Sequence, residues 1–106
     1  MPYTDVRVLL ARNMKRYREL YKLSQMALAE RVGCSPTMIG NIEILKRFPS
    51  PRNINLIAEA LEIPPSELFV EESSAYETIR DDYEVRERLT AEFQRLMDKT
   101  LSSRRR

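Results

Sequence analysis

Between residues 6 and 61 the apolar side chains recur every three or four positions and nowhere alternate convincingly with period two. That pattern fits amphipathic helices and leaves no strand from which to build a sheet. Val6, Leu9, Leu10, Met14, Tyr17, Leu20 and Tyr21 share one helical face, with Thr4 expected as the N-cap. A second, two-turn helix opens at Ser24, runs through Leu28, Ala29 and Val32, and stops at Gly33. Ser35-Pro36 reads as cap followed by first helical position, because proline surrenders an amide that has no intrahelical partner there. A third helix follows with Ile39 and Ile42 inward, and KRFPSP is a loop. Ser50-Pro51 repeats the punctuation ahead of Ile54, Ile57, Ala58 and Leu61, and Pro64-Pro65 ends that fourth helix. SELF makes a short fifth helix, and Ser74 with Glu77 has the spacing of a capping box for a long final helix reaching Leu101. With 2 glycines in 106 residues, tight β-turns are scarce, and the fold expected is all-α.

The length suits one domain with an appended element, which sets the boundaries at 1–71 and 72–106. Histidine and tryptophan are absent and Cys34 is the only cysteine. No Ser-His or Cys-His pair can be assembled, and a zinc site would have to rely on carboxylates. The expectation is therefore no enzyme, no metal and no cofactor. A lone cysteine cannot close an intramolecular disulfide, and Asp5 and Arg7 interrupt the N-terminus before any signal-like apolar run. A cytoplasmic protein with no membrane association is expected. Charge divides unevenly: residues 1–70 carry 10 Lys+Arg against 7 Asp+Glu, whereas residues 71–103 carry 5 against 9. A mildly basic body followed by an acidic extension suggests two segments with different jobs.

Two short helices joined at Val32-Gly33-Cys34-Ser35 have the arrangement of a helix-turn-helix. The string LSQMALAERVGCSPTMIGNIE, from Leu23 to Glu43, and its continuation PSPRNINLIAEALEIPPSELF resemble the phage-repressor and Cro-like helix-turn-helix family. The resemblance covers residues 6 to 69. It implies a five-helix bundle whose third helix enters the major groove of DNA while the N-terminus of the second lies over the phosphate backbone.

On a helix starting at Ser35, the face opposite Ile39 and Ile42 presents Pro36, Thr37, Gly40, Asn41 and Ile44. The Asn41 amide can pair with adenine N6 and N7; Thr37 can bond a base edge or phosphate and touch a thymine methyl; Ile44 offers a second methyl contact. Gly40 lets the backbone come close. Ser24 and Gln25 stand where free amides favour an anion, and Gln25 matches a phosphate-contacting position of the family. Lys46, Arg47 and Arg52 are placed in or beside the following loop for backbone contacts. Arg18 and Glu43 match a pair that in this family joins the first and third helices. Cys34 is read as a small packing residue.

The chain departs from the family in one place. A basic residue and a glycine ordinarily follow the glutamate, whereas Ile44-Leu45-Lys46 stands here. Without glycine a left-handed exit is unfavourable, so the third helix is expected to run on or leave by a different turn. The reading face also lacks Arg and Lys, which removes the commonest guanine contact and favours A·T-containing steps.

Tyr76, Ile79, Tyr83, Leu89, Phe93, Leu96, Met97 and Leu101 fall within about half the circumference of the last helix. Such a stripe needs a cover, and a homodimer is expected, with residues 102–106 as a disordered basic tail. The expectation is a dimeric, sequence-specific repressor on double-stranded DNA, with no small-molecule ligand. The alternative is an antitoxin-like or regulator-binding protein that holds another protein on its last helix.

Overall fold

The computed structural model describes residues 3–71 and 74–104, with side chains for 3–71 and 76–101. Within these the protein is all-helical: α1 (Val6–Leu20), α2 (Gln25–Val32), α3 (Pro36–Glu43), α4 (Pro51–Ala60), a 3-10 helix (Pro65–Phe69) and α5 (Ser74–Arg104). It divides into two compact units, Met1–Ser73 and Ser74–Arg106.

The helix entries in the first unit are set by local capping. Ser24, Ser35 and Ser50 each accept a hydrogen bond from the amide three residues on, at 2.9, 3.2 and 3.2 Å, with proline at the first position of α3 and α4. At α1 the expectation of Thr4 is corrected: Asp5 is the cap, its Oδ1 accepting from the Arg7 amide at 2.8 Å. A carboxylate is the stronger acceptor, and it also receives the Arg7 guanidinium on Oδ1 and Oδ2 at 3.0 Å. Thr4 instead donates its amide and hydroxyl to Glu71 at 2.7 and 2.6 Å, pinning the start of the unit to its end.

The helix exits share one geometry. After α1, α3 and α4 a residue in the left-handed region follows the cap: Lys22 (φ 57°), Leu45 (φ 65°) and Glu62 (φ 57°). In each case the next amide reaches back five residues, Leu23 to Arg18 O, Lys46 to Asn41 O and Ile63 to Ala58 O, at 2.8–3.0 Å. These are Schellman closures, and α2 makes the same one with Gly33 (φ 85°) and the Cys34 amide on Ala29 O. Only α2 uses glycine. The third helix therefore neither runs on nor leaves by a different turn: it stops at Glu43 because Leu45 adopts the angle that glycine normally supplies.

Leu10, Met14, Tyr17, Leu28, Ile39, Ile42, Ile57, Leu61 and Leu68 are the large apolar side chains sealed in the core. The apolar faces of α1 to α4 thus converge as their periodicity requires. Two polar residues join them. Asn13 donates from Nδ2 to the carbonyls of Leu68 and Val70, each at 3.0 Å, and the Tyr17 hydroxyl donates to Glu67 Oε1 at 3.0 Å. Both bind α1 to the 3-10 helix, the form that the SELF segment takes; no buried side-chain nitrogen or oxygen among the described residues lacks a partner. Buried amides and carbonyls that are paired in this way hold a segment without the penalty of desolvation.

The second unit is α5, 31 residues long, or about 46 Å at the helical rise. Its backbone stays helical through Arg104, three residues into the segment expected to be disordered; Arg105 and Arg106 lie outside the described residues, as does the Ser74 side chain of the expected capping box. No described helix is long and apolar enough to cross a membrane.

Candidate nucleic-acid interface

Gly33 reverses the chain between α2 and α3, and Ser35-Pro36 starts α3. With Ile39 and Ile42 buried, α3 shows Pro36, Thr37 and Ile44 exposed and Gly40 and Asn41 half-exposed, so the structure places those five residues together on one outward face. Ile44 is 61% exposed, so its side chain is free to meet a ligand on this face.

The N-terminus of α2 stands beside this face. The Gln25 side chain lies over Gly40, where an added Cβ would meet its Oε1 at 3.4 Å, and its Nε2 donates to Glu43 Oε1 at 3.4 Å. Gln25 remains exposed. One side chain thus connects the free amides at the start of α2 with the middle of α3, and the absence of a Cβ at residue 40 leaves it room. Sequence reading assigned Gln25 to phosphate and Gly40 to close approach separately; their apposition is a tertiary fact that spacing does not reveal.

Beneath them Arg18 grips Glu43 with two bonds, Nε to Oε2 and Nη2 to Oε1, both 2.9 Å, and its Nη1 donates to the Leu23 carbonyl at 2.8 Å. The two side chains are 12% and 5% exposed. A bidentate guanidinium–carboxylate pair fixes orientation as well as distance, so α1, the start of α2 and the last turn of α3 are held in one register. Asn53 adds a weaker tie from α4, donating to the Met38 sulfur at 3.8 Å.

Lys46 and Arg47 are exposed just past α3, and both their amides close on the Asn41 carbonyl, at 2.8 and 3.1 Å. The Schellman turn therefore ties the backbone of both residues to the residue that carries the candidate base-reading amide. Arg52 is exposed in the first turn of α4. Sequence reading missed that Leu45 and Phe48 after α3, and Met26 on α2, are exposed apolar side chains; the signal was there in Leu45 and Phe48 falling after the last inward position of α3. Cys34 is half-buried and its thiol is pushed up by that burial, which fits a packing role. No cluster of metal-ligating side chains occurs among the described residues.

Two short helices at a glycine turn, the second with its polar face outward and its last turn clamped to the first helix, are the parts of a DNA-reading module. The family profile described as Helix-turn-helix matches residues 14–68. The chain belongs to the helix-turn-helix family of the Cro and C1 type. Among its relatives, control protein C.SmaI of Serratia marcescens is 36% identical over 59 residues, 56% of this chain and 70% of that protein. The crystal structure of the restriction-modification controller protein C.AhdI from Aeromonas hydrophila matches with a TM-score of 0.58 and 36% identity. That match covers 63% of this chain and all of the controller. This helix-turn-helix protein is a DNA-binding transcriptional regulator, and more than a third of its length has no counterpart in the solved controller.

Proposed function

We propose that the protein works as a homodimeric repressor that reads a palindromic site, with α3 of each copy in the major groove. The observation that supports this most directly is the outward face of α3, where Thr37, Gly40 and Asn41 stand together beside the amide end of α2. In this reading Asn41 pairs with an adenine edge, Thr37 and Ile44 touch thymine methyls, and Pro36 and Gly40 admit the backbone closely. Ser24, Gln25 and Ser35 offer helix N-terminal groups to phosphates, and Lys46, Arg47 and Arg52 neutralise the flanking backbone. Arg18 and Glu43 hold the frame. Dimerisation falls to α5, whose exposed apolar side chains include Leu89, Phe93, Leu96 and Met97, while Tyr76, Ile79 and Tyr83 are half-buried. Two copies place two reading helices on successive turns, about 34 Å apart.

The likeness to a control protein and to a restriction-modification controller protein supports a narrower assignment: control of a restriction-modification system from the cytoplasm, with no catalysis of its own. A second reading, a module that holds a different protein on α5, draws on the same exposed stripe.

Selection of random duplexes by the purified full chain at near-physiological salt tests the proposal. Enrichment of a palindrome with half-sites one turn apart supports the dimeric reader. A folded, active preparation that enriches nothing refutes it and favours the second reading.

A further inference from the structure

From residue 84 to residue 101 every side chain of α5 is exposed, and Val85, Leu89, Phe93, Leu96, Met97 and Leu101 are each at least 42% so. Leu89, Phe93 and Leu96 repeat at spacings of four and three, and Thr100 continues the row at four. This is the a/d seam of a coiled coil, three to four layers deep. The Thr100 hydroxyl is already used, donating to the Leu96 carbonyl at 2.9 Å, so its methyl can enter an apolar seam without a stranded donor. The opposite face carries a polar pair of its own, Gln94 donating to Asp98 at 3.0 Å.

The charges beside the seam decide the orientation. Glu92 and Lys99 flank the same edge, seven residues apart. Glu92 receives Arg95 of its own helix at 2.5 Å, whereas Lys99 has no ion-pair partner among the described residues. In a parallel pair of identical helices Glu92 faces Met97 and Lys99 faces Arg104 of the other copy, and Arg86, on the seam itself, meets its own equivalent. In an antiparallel pair centred between Gln94 and Arg95, Phe93 packs on Leu96, Leu89 on Thr100, and Glu92 meets Lys99 twice by symmetry. The two Arg86 side chains are then about 25 Å apart along the axis.

We infer that the distal half of α5 pairs with the same segment of a second copy, antiparallel, with Phe93 against Leu96 and Glu92 against Lys99. This rests on the dimeric reading and adds to it the orientation, the register and the residues that select a second copy of the chain.

The test uses the full-length protein in a Cys34→Ala background. Mixed Leu89→Cys and Thr100→Cys chains form a disulfide on oxidation, and Leu89→Cys alone does not, because its two copies lie about 16 Å apart along the axis, beyond disulfide reach. Glu92→Lys and Lys99→Glu each weaken the dimer by roughly three- to tenfold in sedimentation equilibrium, and the double variant recovers it. Circular dichroism confirms the fold of every variant. A dimer whose Leu89→Cys copies link to each other overturns the orientation and leaves the dimer standing. A dimer in which neither link forms, or in which the charge exchange rescues nothing, overturns the register. A chain that stays monomeric overturns the dimeric reading and the inference together.

Discussion

Leu45 holds φ at 65°, where an L side chain crowds the following carbonyl. It does so because the Schellman closure on Asn41 and Ile42, together with the buried Ile42 and Pro49 on either side, fixes the path of the chain. Replacing it with glycine relieves the strain and loosens the unfolded chain, with a net gain of about 0.5–1 kcal/mol expected. Urea unfolding of Leu45→Gly measures it, and an unchanged or lower midpoint would show that Leu45 is not strained. The opposite sign holds at Arg18. Arg18→Met leaves the nearly buried Glu43 carboxylate with only the long Gln25 contact, at a cost of about 3–5 kcal/mol in the same unfolding experiment. A loss of DNA binding in that variant would then reflect the frame rather than a contact. Asp5 supplies a pH dependence. The Arg7 side chain, and then the Arg7 amide, lower its pKa from 3.8 to about 2. A depressed carboxylate pKa stabilises the fold above the unfolded value and ceases to do so as pH falls through the folded one. The cap is therefore intact above pH 3.8 and released toward pH 2, and NMR titration of the Asp5 carboxyl checks it; a midpoint at the ordinary value would contradict the capping geometry.

At the scale of the element, what could be read from sequence follows the range of the forces involved. The serine caps at residues 24, 35 and 50 were legible because a hydroxyl reaches an amide only three residues on. The choice of Asp5 over Thr4 was not, because the competing partner of Thr4, Glu71, is 67 residues away. Buried Asn13 and Glu67 escaped notice for the same reason: their partners lie on segments that meet only after folding. The exit of α3 was misjudged because residue preference at a left-handed position is weaker than the tertiary path imposed on it. Within α3, Gly40 gives the sharpest test of purpose. An alanine there lies 3.4 Å from Gln25 Oε1, an ordinary contact with a side chain that can move. Gly40→Ala is expected to raise stability by about 0.5–1 kcal/mol, since glycine is a poor residue inside a helix. If Gly40 serves approach to DNA, affinity for the operator falls even as thermal stability rises, and a parallel rise in both would assign the glycine no role at the interface.

The whole molecule joins a unit that matches the helix-turn-helix family over residues 14–68 to a 31-residue helix, α5, that lies outside the matched residues. The first part was legible in outline from one string, Leu23 to Glu43, because turn, caps and inward isoleucines sit close together in sequence. For α5 the amphipathic stripe was legible, but not that its proximal tyrosines and Ile79 are half-buried while the apolar residues from Val85 onward are exposed. Function at this scale depends on separating contacts that position from contacts that read. Lys46→Ala and Arg47→Ala are each expected to weaken binding to all duplexes alike and to lower the salt slope by about one, whereas Asn41→Ala changes which sequence is preferred. The most direct measurement compares the wild-type protein with Asn41→Ala on the selected operator and on random duplex at one salt concentration. A loss of about 5- to 150-fold on the operator, with random duplex unchanged and the fold intact, is the result predicted for an adenine-reading amide on α3. Equal affinity of the two proteins for the operator would contradict the claim that α3 is the reading helix through this face.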